Sequence, residues 1–288
     1  MAGKFSRSWA LMKASAGILR SDKSLLMFPL ISALCSLLVM ASFLIPVAVL
    51  AVAGERAGRE GLSPGAYVLL FAFYLVQYFV IIFFNTALAG SALQRLRGEP
   101  TSLGEGIAVA RSRWVSILGY ALISATVGLF LRALQERLGL IGRLVVGFLG
   151  LAWTVATFLV VPVLASQDIG PVDAVKRSVE LLKRSWGENL IGNGGIGIVF
   201  GLLTFVAALL SVAIIAGAAA THSVAVLVVA IALVVVALVL LALTQASLQG
   251  IYAAALYRYA EEGEAGAGFD QALLEQAFRT KGKAGRVG

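Results

Sequence analysis

Charge is scarce in this chain. Only 13% of its 288 residues are Asp, Glu, Lys or Arg, against about 25% in soluble domains. Residues 189–257 contain none of the four. There is one cysteine, Cys35, and one histidine, His222. A lone cysteine excludes an intrachain disulfide, and a lone histidine excludes a site built from several imidazoles. The Walker loop, the H-E-x-x-H helix and the C-x-x-C pair are all missing. The expectation is a protein with no metal, no cofactor and no enzymatic chemistry of its own.

What the chain has is apolar length. Its hydrophobic fraction is 60% and its mean hydropathy +0.94. Several uncharged runs exceed the ~20 residues that carry a helix across a bilayer. Membrane β-barrels show short alternating segments instead. The fold class expected is all-α: a polytopic bundle of six transmembrane helices over 25–53, 66–93, 114–131, 144–166, 190–218 and 224–256. These form one domain, 1–257, followed by a polar tail, 258–288, in which 269–278 has the pattern of a short amphipathic helix. The run at 25–53 is too long for a signal-peptide core, so the first span is expected to stay uncleaved and to direct targeting.

The net charge of +8 raises the question of nucleic acid. The basic residues lie between the apolar runs, so orientation in a membrane accounts for them and no nucleic-acid partner is expected. With the N-terminus inside, the segments 1–24, 94–113, 167–188 and 258–288 hold 18 Lys and Arg residues, and the outer loops 54–65, 132–143 and 219–223 hold 5. The positive-inside rule then places both termini in the cytoplasm of a bacterial or archaeal cell, with the chain in its cytoplasmic membrane. Basic segments at that face fit anionic membrane lipids as partners. A protein partner or a homo-oligomer is a further expectation.

Three inner segments share a pattern. In 1–24 the apolar stripe is Phe5, Trp9, Met12, Ala16 and Leu19. In 94–113 and just beyond it is Leu103, Ile107, Ala110, Trp114 and Ile117. In 167–188 it is Val172, Val175, Val179, Leu182 and Trp186. Each set steps by threes and fours, one face of a helix. Each includes a tryptophan, a residue favoured at the membrane interface, so Trp9, Trp114 and Trp186 are expected anchors. Each stripe leads into a pair of spans. The reading is three helix-plus-hairpin repeats, 1–93, 94–166 and 167–257. Ser102 followed by Glu105 has the spacing of a capping box.

No span core holds an Asp, Glu, Lys or Arg. That argues against a proton-coupled pump and against an intramembrane hydrolase with paired carboxylates. The glycines at 192, 194, 195 and 197 lack the strand and the Lys of a phosphate loop, and Gly197 with Gly201 suits close helix packing. Polar positions within the spans include Gln77, Thr154 and Thr157, which suit interhelical hydrogen bonds. Asn85, Asn189, Asn193, Gln245 and Gln249 fall near the inner ends of their spans. With Asp168, just past the fourth span, they make a candidate polar cavity. Asp168 is also placed to cap the helix that follows it. His222 is expected in an outer turn.

The stretches FSRSWALMKAS (5–15), LRSDKSLLMFPL (19–30) and QDIGPVDAVKRSVELLKRSWGENL (167–190) resemble an uncharacterised prokaryotic multi-pass family known as a domain of unknown function. More loosely, they are similar to the membrane domain attached to some glycerophosphodiester phosphodiesterases. The resemblance implies a six-span bundle and assigns no catalytic residue. The tail is too short for an attached phosphodiesterase domain. The function expected is that of a lipid- or partner-binding scaffold or accessory protein. The alternative is a transporter or channel for a neutral or amphipathic substrate.

Overall fold

The computed structural model describes residues 4–56, 64–186, 195–264, 266 and 269. Helix α1 (Lys4–Ser21) leads through a 3-10 turn (Lys23–Leu26) into α2 (Met27–Arg56), and α3 (Pro64–Leu96) returns. Next come α4 (Leu103–Ser112), α5 (Trp114–Arg137), α6 (Leu140–Ala156) and α7 (Val160–Ser166). Then follow α8 (Pro171–Trp186), α9 (Gly195–Ala220) and α10 (Val224–Glu262). The protein is an all-α, multi-pass membrane protein. Among the described residues six segments are long and apolar enough to span: Lys23–Leu50, Pro64–Leu96, Trp114–Arg137, Gly142–Ser166, Gly201–Ala220 and Val224–Glu262. The tail segment 269–278 lies outside the described residues apart from Phe269.

The second span is the hub. Helix α3 packs against α2, α4, α5, α7 and α10. Every residue from Thr86 to Leu93 in it is buried. Small side chains make this possible, because Ala87, Ala89, Gly90, Ser91 and Ala92 let neighbouring backbones approach. A Cβ on Gly106 of α4 would lie 2.3 Å from the Ser91 Oγ, 2.5 Å from the Phe28 ring and 2.8 Å from the Ala87 carbonyl oxygen. A Cβ on Gly250 of α10 would lie 2.5 Å from Leu88. The most deeply buried large residues, among them Leu25, Phe28, Leu96, Ile117, Leu159, Leu181 and Leu256, belong to this same end of the bundle. At the other end Leu44, Ile45, Val212, Val228 and Leu233 stand exposed, the surface a lipid-facing helix presents.

Local signals behave as sequence chemistry dictates. The Ser102 hydroxyl accepts from the Glu105 N–H and the Glu105 carboxylate accepts from the Ser102 N–H, a complete capping box at the start of α4. Gly98 (φ 83°) follows α3 and Gly263 (φ 73°) ends α10, both in the left-handed region that favours glycine. His222 sits exposed in the turn between α9 and α10 with φ 53°. Pro46 lies inside α2 without ending it. At 39 residues and ~1.5 Å rise, α10 reaches about 58 Å. That exceeds a ~30 Å hydrocarbon core, so its charged last turns stand clear of the apolar layer.

Two features differ from the pattern in the sequence. The fourth span is interrupted: α6 ends at Ala156 and α7 begins at Val160. Pro162 has no N–H to donate one turn back, and its ring crowds the Phe158 carbonyl, which explains the break. In α8 the buried line is Ala174, Ser178, Leu181 and Leu182. Val172, the first residue of the expected stripe, is 53% exposed. The helix is rotated because its close contact is with backbone at the interruption, where small residues fit best.

Candidate functional site

The interruption in the fourth span is where the fold spends its polar groups. Within it, the Thr157 N–H donates to the Trp153 carbonyl (3.0 Å), the Phe158 N–H to Val155 (3.2 Å) and the Val160 N–H to Thr157 (3.1 Å). The Leu159 N–H has no such partner along its own helix. It donates instead to the Ser178 Oγ of α8, at 3.1 Å. The same hydroxyl donates to the Ala156 carbonyl at 2.7 Å. One buried side chain thus bridges the end of α6 and the start of α7. In an apolar surround each of these groups left unpaired costs roughly 1–3 kcal/mol. The Tyr120 phenol of α5 faces the hydroxyls of Thr157 and Ser124, and the Phe158 and Tyr252 rings meet at 6.4 Å.

Below the interruption the helix ends are tied by a polar belt. Tyr257 of α10 accepts from the Ser166 hydroxyl (2.7 Å) and from the Gln167 amide (2.9 Å). Arg177 of α8 grips both oxygens of Glu261, at 2.6 and 2.8 Å. Arg258 is nearly buried. It donates to the Leu96 carbonyl at the end of α3, to Glu262 (3.0 Å) and to Glu264 (3.1 Å). Arg97 also holds Glu262, at 2.8 Å. Arg113 pairs with Asp168, and the Ser116 hydroxyl donates to the Ile169 carbonyl at 2.9 Å. Asp22 accepts from the Ser24 N–H (3.0 Å), the Ser24 hydroxyl (2.5 Å) and the Thr101 hydroxyl (2.9 Å). Burial acts to raise the Asp22 carboxyl. The hydrogen bonds from Ser24 and Thr101 and the nearby Arg95 charge outweigh it, so it lies below the ordinary carboxylate value.

The carboxylates just named are therefore engaged within the fold, and Glu99 is exposed without an ion pair among the described residues, while several bases at this end are likewise free. Lys13, Arg20, Lys23, Arg111 and Lys183 are exposed, and none forms an ion pair among the described residues. The result is an end of the bundle with surplus positive charge on its outside and a dense apolar core inside.

The candidate cavity residues divide as follows. Asn85 is half-buried on α3. Gln245 is half-buried on α10, where its amide oxygen accepts from the Thr204 hydroxyl at 3.4 Å. Gln249 is exposed on the same helix. Asp168 is exposed and serves Arg113, so its partner is a guanidinium and not a helix N-terminus. No hydrogen bond joins any two of these four among the described residues. Asn189 and Asn193 lie outside the described residues. Of the expected anchors, Trp114 opens α5 and is 53% exposed. Trp9 and Trp186 fall within α1 and α8. The letters G-x-S-x-G occur at 61–65; α3 begins inside them at Pro64, and 61–63 lie outside the described residues. Among the described residues no group of three or more His, Cys, Asp or Glu is placed to hold a metal ion. Sequence reasoning missed Ser178 and Arg258. The usable signals were Pro162 and Thr157 inside an apolar run, and Arg258 as the first charge after the long neutral stretch.

Residues 65–269, well over half of the chain, match the model of a family described as a family of unknown function (DUF6159). No curated protein and no solved structure matches the chain.

Proposed function

The chain belongs to this family of unknown function, DUF6159, and we propose that it acts as a lipid- or partner-binding scaffold without chemistry of its own. The observation that carries this is the charge imbalance of the belt. Asp22, Asp168, Glu261, Glu262 and Glu264 are engaged internally, and Lys13, Arg20, Lys23, Arg111 and Lys183 point outward without a carboxylate. A basic rim at the edge of an apolar layer attracts anionic lipid. On this reading the belt faces the cytoplasm, in keeping with the 18-to-5 distribution of Lys and Arg. Each of α1, α4 and α8 stands ahead of a hairpin and carries at least one of these outward bases, so the three helix-plus-hairpin units would supply the rim between them.

The test is lipid composition. The chain, extracted from a membrane of mixed phosphatidylglycerol and phosphatidylcholine, is expected to retain the anionic lipid in excess of its bulk fraction. Equal retention of the two overturns the reading.

Transport of a neutral or amphipathic solute is the second reading, and the interrupted fourth span favours it, because transporters build substrate sites at broken helices. Against it stands Ser178, which occupies the groups the break sets free. Saturable flux of a neutral solute into reconstituted vesicles, abolished by Asn193→Leu, would sink the scaffold reading.

A further inference from the structure

We propose that Arg20, Lys23 and Arg95 form a phosphate site for the headgroup of one anionic phospholipid, whose acyl chain runs down the outer face of α2. This rests on the lipid-binding reading above and gives it a location.

The three bases lie on the segments by which the first hairpin enters the apolar layer. Lys23 is the first residue of the first spanning segment, and Arg95 lies in the last turn of the second. Helices α2 and α3 are packed neighbours running in opposite directions, and the 3-10 turn touches both α1 and α3. The start of one span and the end of the other therefore sit at the same depth. That is the level at which lipid phosphates lie. Arg20 closes the last turn of α1, three residues before Lys23.

Asp22 stands among them and is already spoken for. Its two oxygens accept from Ser24 and from Thr101, and Arg95 acts on it through space. One carboxylate against three bases leaves the cluster with two uncompensated positive charges. The contrast with the rest of the belt is specific: Arg97, Arg113, Arg177 and Arg258 each hold a carboxylate directly, and Arg20, Lys23 and Arg95 do not among the described residues. Thr101 ties the loop after α3 to the α1–α2 junction through Asp22, so the cluster is held in place before any ligand arrives.

The surface beneath it suits a hydrocarbon chain. Met27, Leu34 and Leu38 are 41%, 54% and 68% exposed. They follow Lys23 at steps of four, seven and four, which is one stripe of α2. A headgroup on Lys23, in the turn that opens the first span, thus has an apolar track along α2 below it.

The full-length chain in a zwitterionic detergent is titrated with phosphatidylglycerol, with phosphatidylcholine and with inorganic phosphate. Each of Arg20→Gln, Lys23→Gln and Arg95→Gln is expected to weaken phosphatidylglycerol binding roughly fivefold. Lys176→Gln, an exposed base of the same end that pairs with Asp173 on its own helix and lies outside the rim, leaves it unchanged. If Lys176→Gln weakens binding as much as the cluster variants, the attraction is diffuse and the site is overturned while the scaffold reading survives. If the unaltered chain does not prefer phosphatidylglycerol to phosphatidylcholine, both fail. Inorganic phosphate binding as tightly as the lipid overturns the lipid assignment in favour of a free anion. Should Arg95→Gln fold poorly, the Arg20→Gln/Lys23→Gln double variant decides, because both of its side chains are exposed.

Discussion

The Ser178 hydroxyl accepts the Leu159 N–H at 3.1 Å, and through that bond α8 repairs a span to which it does not belong. The same oxygen donates to the Ala156 carbonyl. Ser178→Ala removes both bonds at once and leaves a donor and an acceptor in a dry interior. The cost expected is about 2–4 kcal/mol. Thermal unfolding in detergent is expected to show a clear loss for Ser178→Ala and little change for Ser112→Ala, whose exposed hydroxyl only bonds its own helix. Equal losses in the two would mean that the bridge adds nothing.

Gly106 measures how tightly α4 sits on α3. A Cβ there meets the Ser91 Oγ, the Phe28 ring and the Ala87 carbonyl oxygen, all within 2.8 Å. Gly106→Ala is expected to destabilise by roughly 1–3 kcal/mol. Removing the Ser91 hydroxyl does not rescue it, because the Ala87 backbone remains. Gly104, two residues earlier in the same helix, has nothing closer than the Ser102 hydroxyl at 4.0 Å. There alanine is expected to stabilise by about 0.5–1 kcal/mol through helix propensity. Opposite signs in the two melting curves are the required outcome.

The parts of this fold that were legible in the sequence are those written locally. Six spans follow from apolar length, and the capping box follows from Ser102 and Glu105 three residues apart. The bridge at Ser178 was hidden because its partners are backbone groups about twenty residues back, and a serine among charges on a surface helix carries no mark of burial. The same nonlocality hid Arg258, whose acceptor is the Leu96 carbonyl of another span. The large apolar residues of α8 point to Val172, Val175, Val179 and Leu182. The structure buries Leu182 together with Ala174, Ser178 and Leu181, leaves Val175 and Val179 half-buried and exposes Val172; the small Ala174 and Ser178 face the interrupted span, and a stripe of large residues does not reveal them. Of the polar positions gathered by depth, Asp168 answers Arg113 and Gln245 answers Thr204, partners that lie far from them in the sequence.

Arg258 ties α3 to the end of α10 through one carbonyl and two carboxylates. Arg258→Met keeps much of the volume and removes every donor, leaving the Leu96 carbonyl buried and unpaired. A loss of about 2–4 kcal/mol is expected. Arg258→Lys restores only part of it, because a compact ammonium does not reproduce the fork that reaches three acceptors. Unfolding midpoints for the two variants are expected to rank Met below Lys and Lys below the unaltered chain. Full recovery with lysine would show that charge alone suffices.

Asp22 makes the junction of α1 and α2 sensitive to acid. Its folded carboxyl lies below the ordinary value. A depressed carboxyl contributes stability that is complete above its unfolded pKa of about 3.9 and is lost as pH falls through the lower folded value. The tie to Thr101 is therefore expected to hold at neutral pH and weaken below about pH 4. Asp22→Asn deletes that component, so the fall in melting temperature between pH 7 and pH 3 is expected to be smaller in the variant. An identical fall in both would assign the acid sensitivity to other groups.

The segments 1–24, 94–113, 167–188 and 258–288 hold 18 of the 23 Lys and Arg residues, so on the positive-inside rule the belt end is expected in the cytoplasm. Reporter positions must be exposed, which excludes Ser178, fully buried at the bridge. Lys176 on α8 and Gln135 near the end of α5 are both exposed and lie at opposite ends of the third span and its neighbours. In a Cys35→Ser background, a membrane-impermeant maleimide added to intact cells is expected to label Gln135→Cys and to spare Lys176→Cys until the cells are opened. The reverse pattern would place the basic rim outside and would overturn the cytoplasmic reading of the belt.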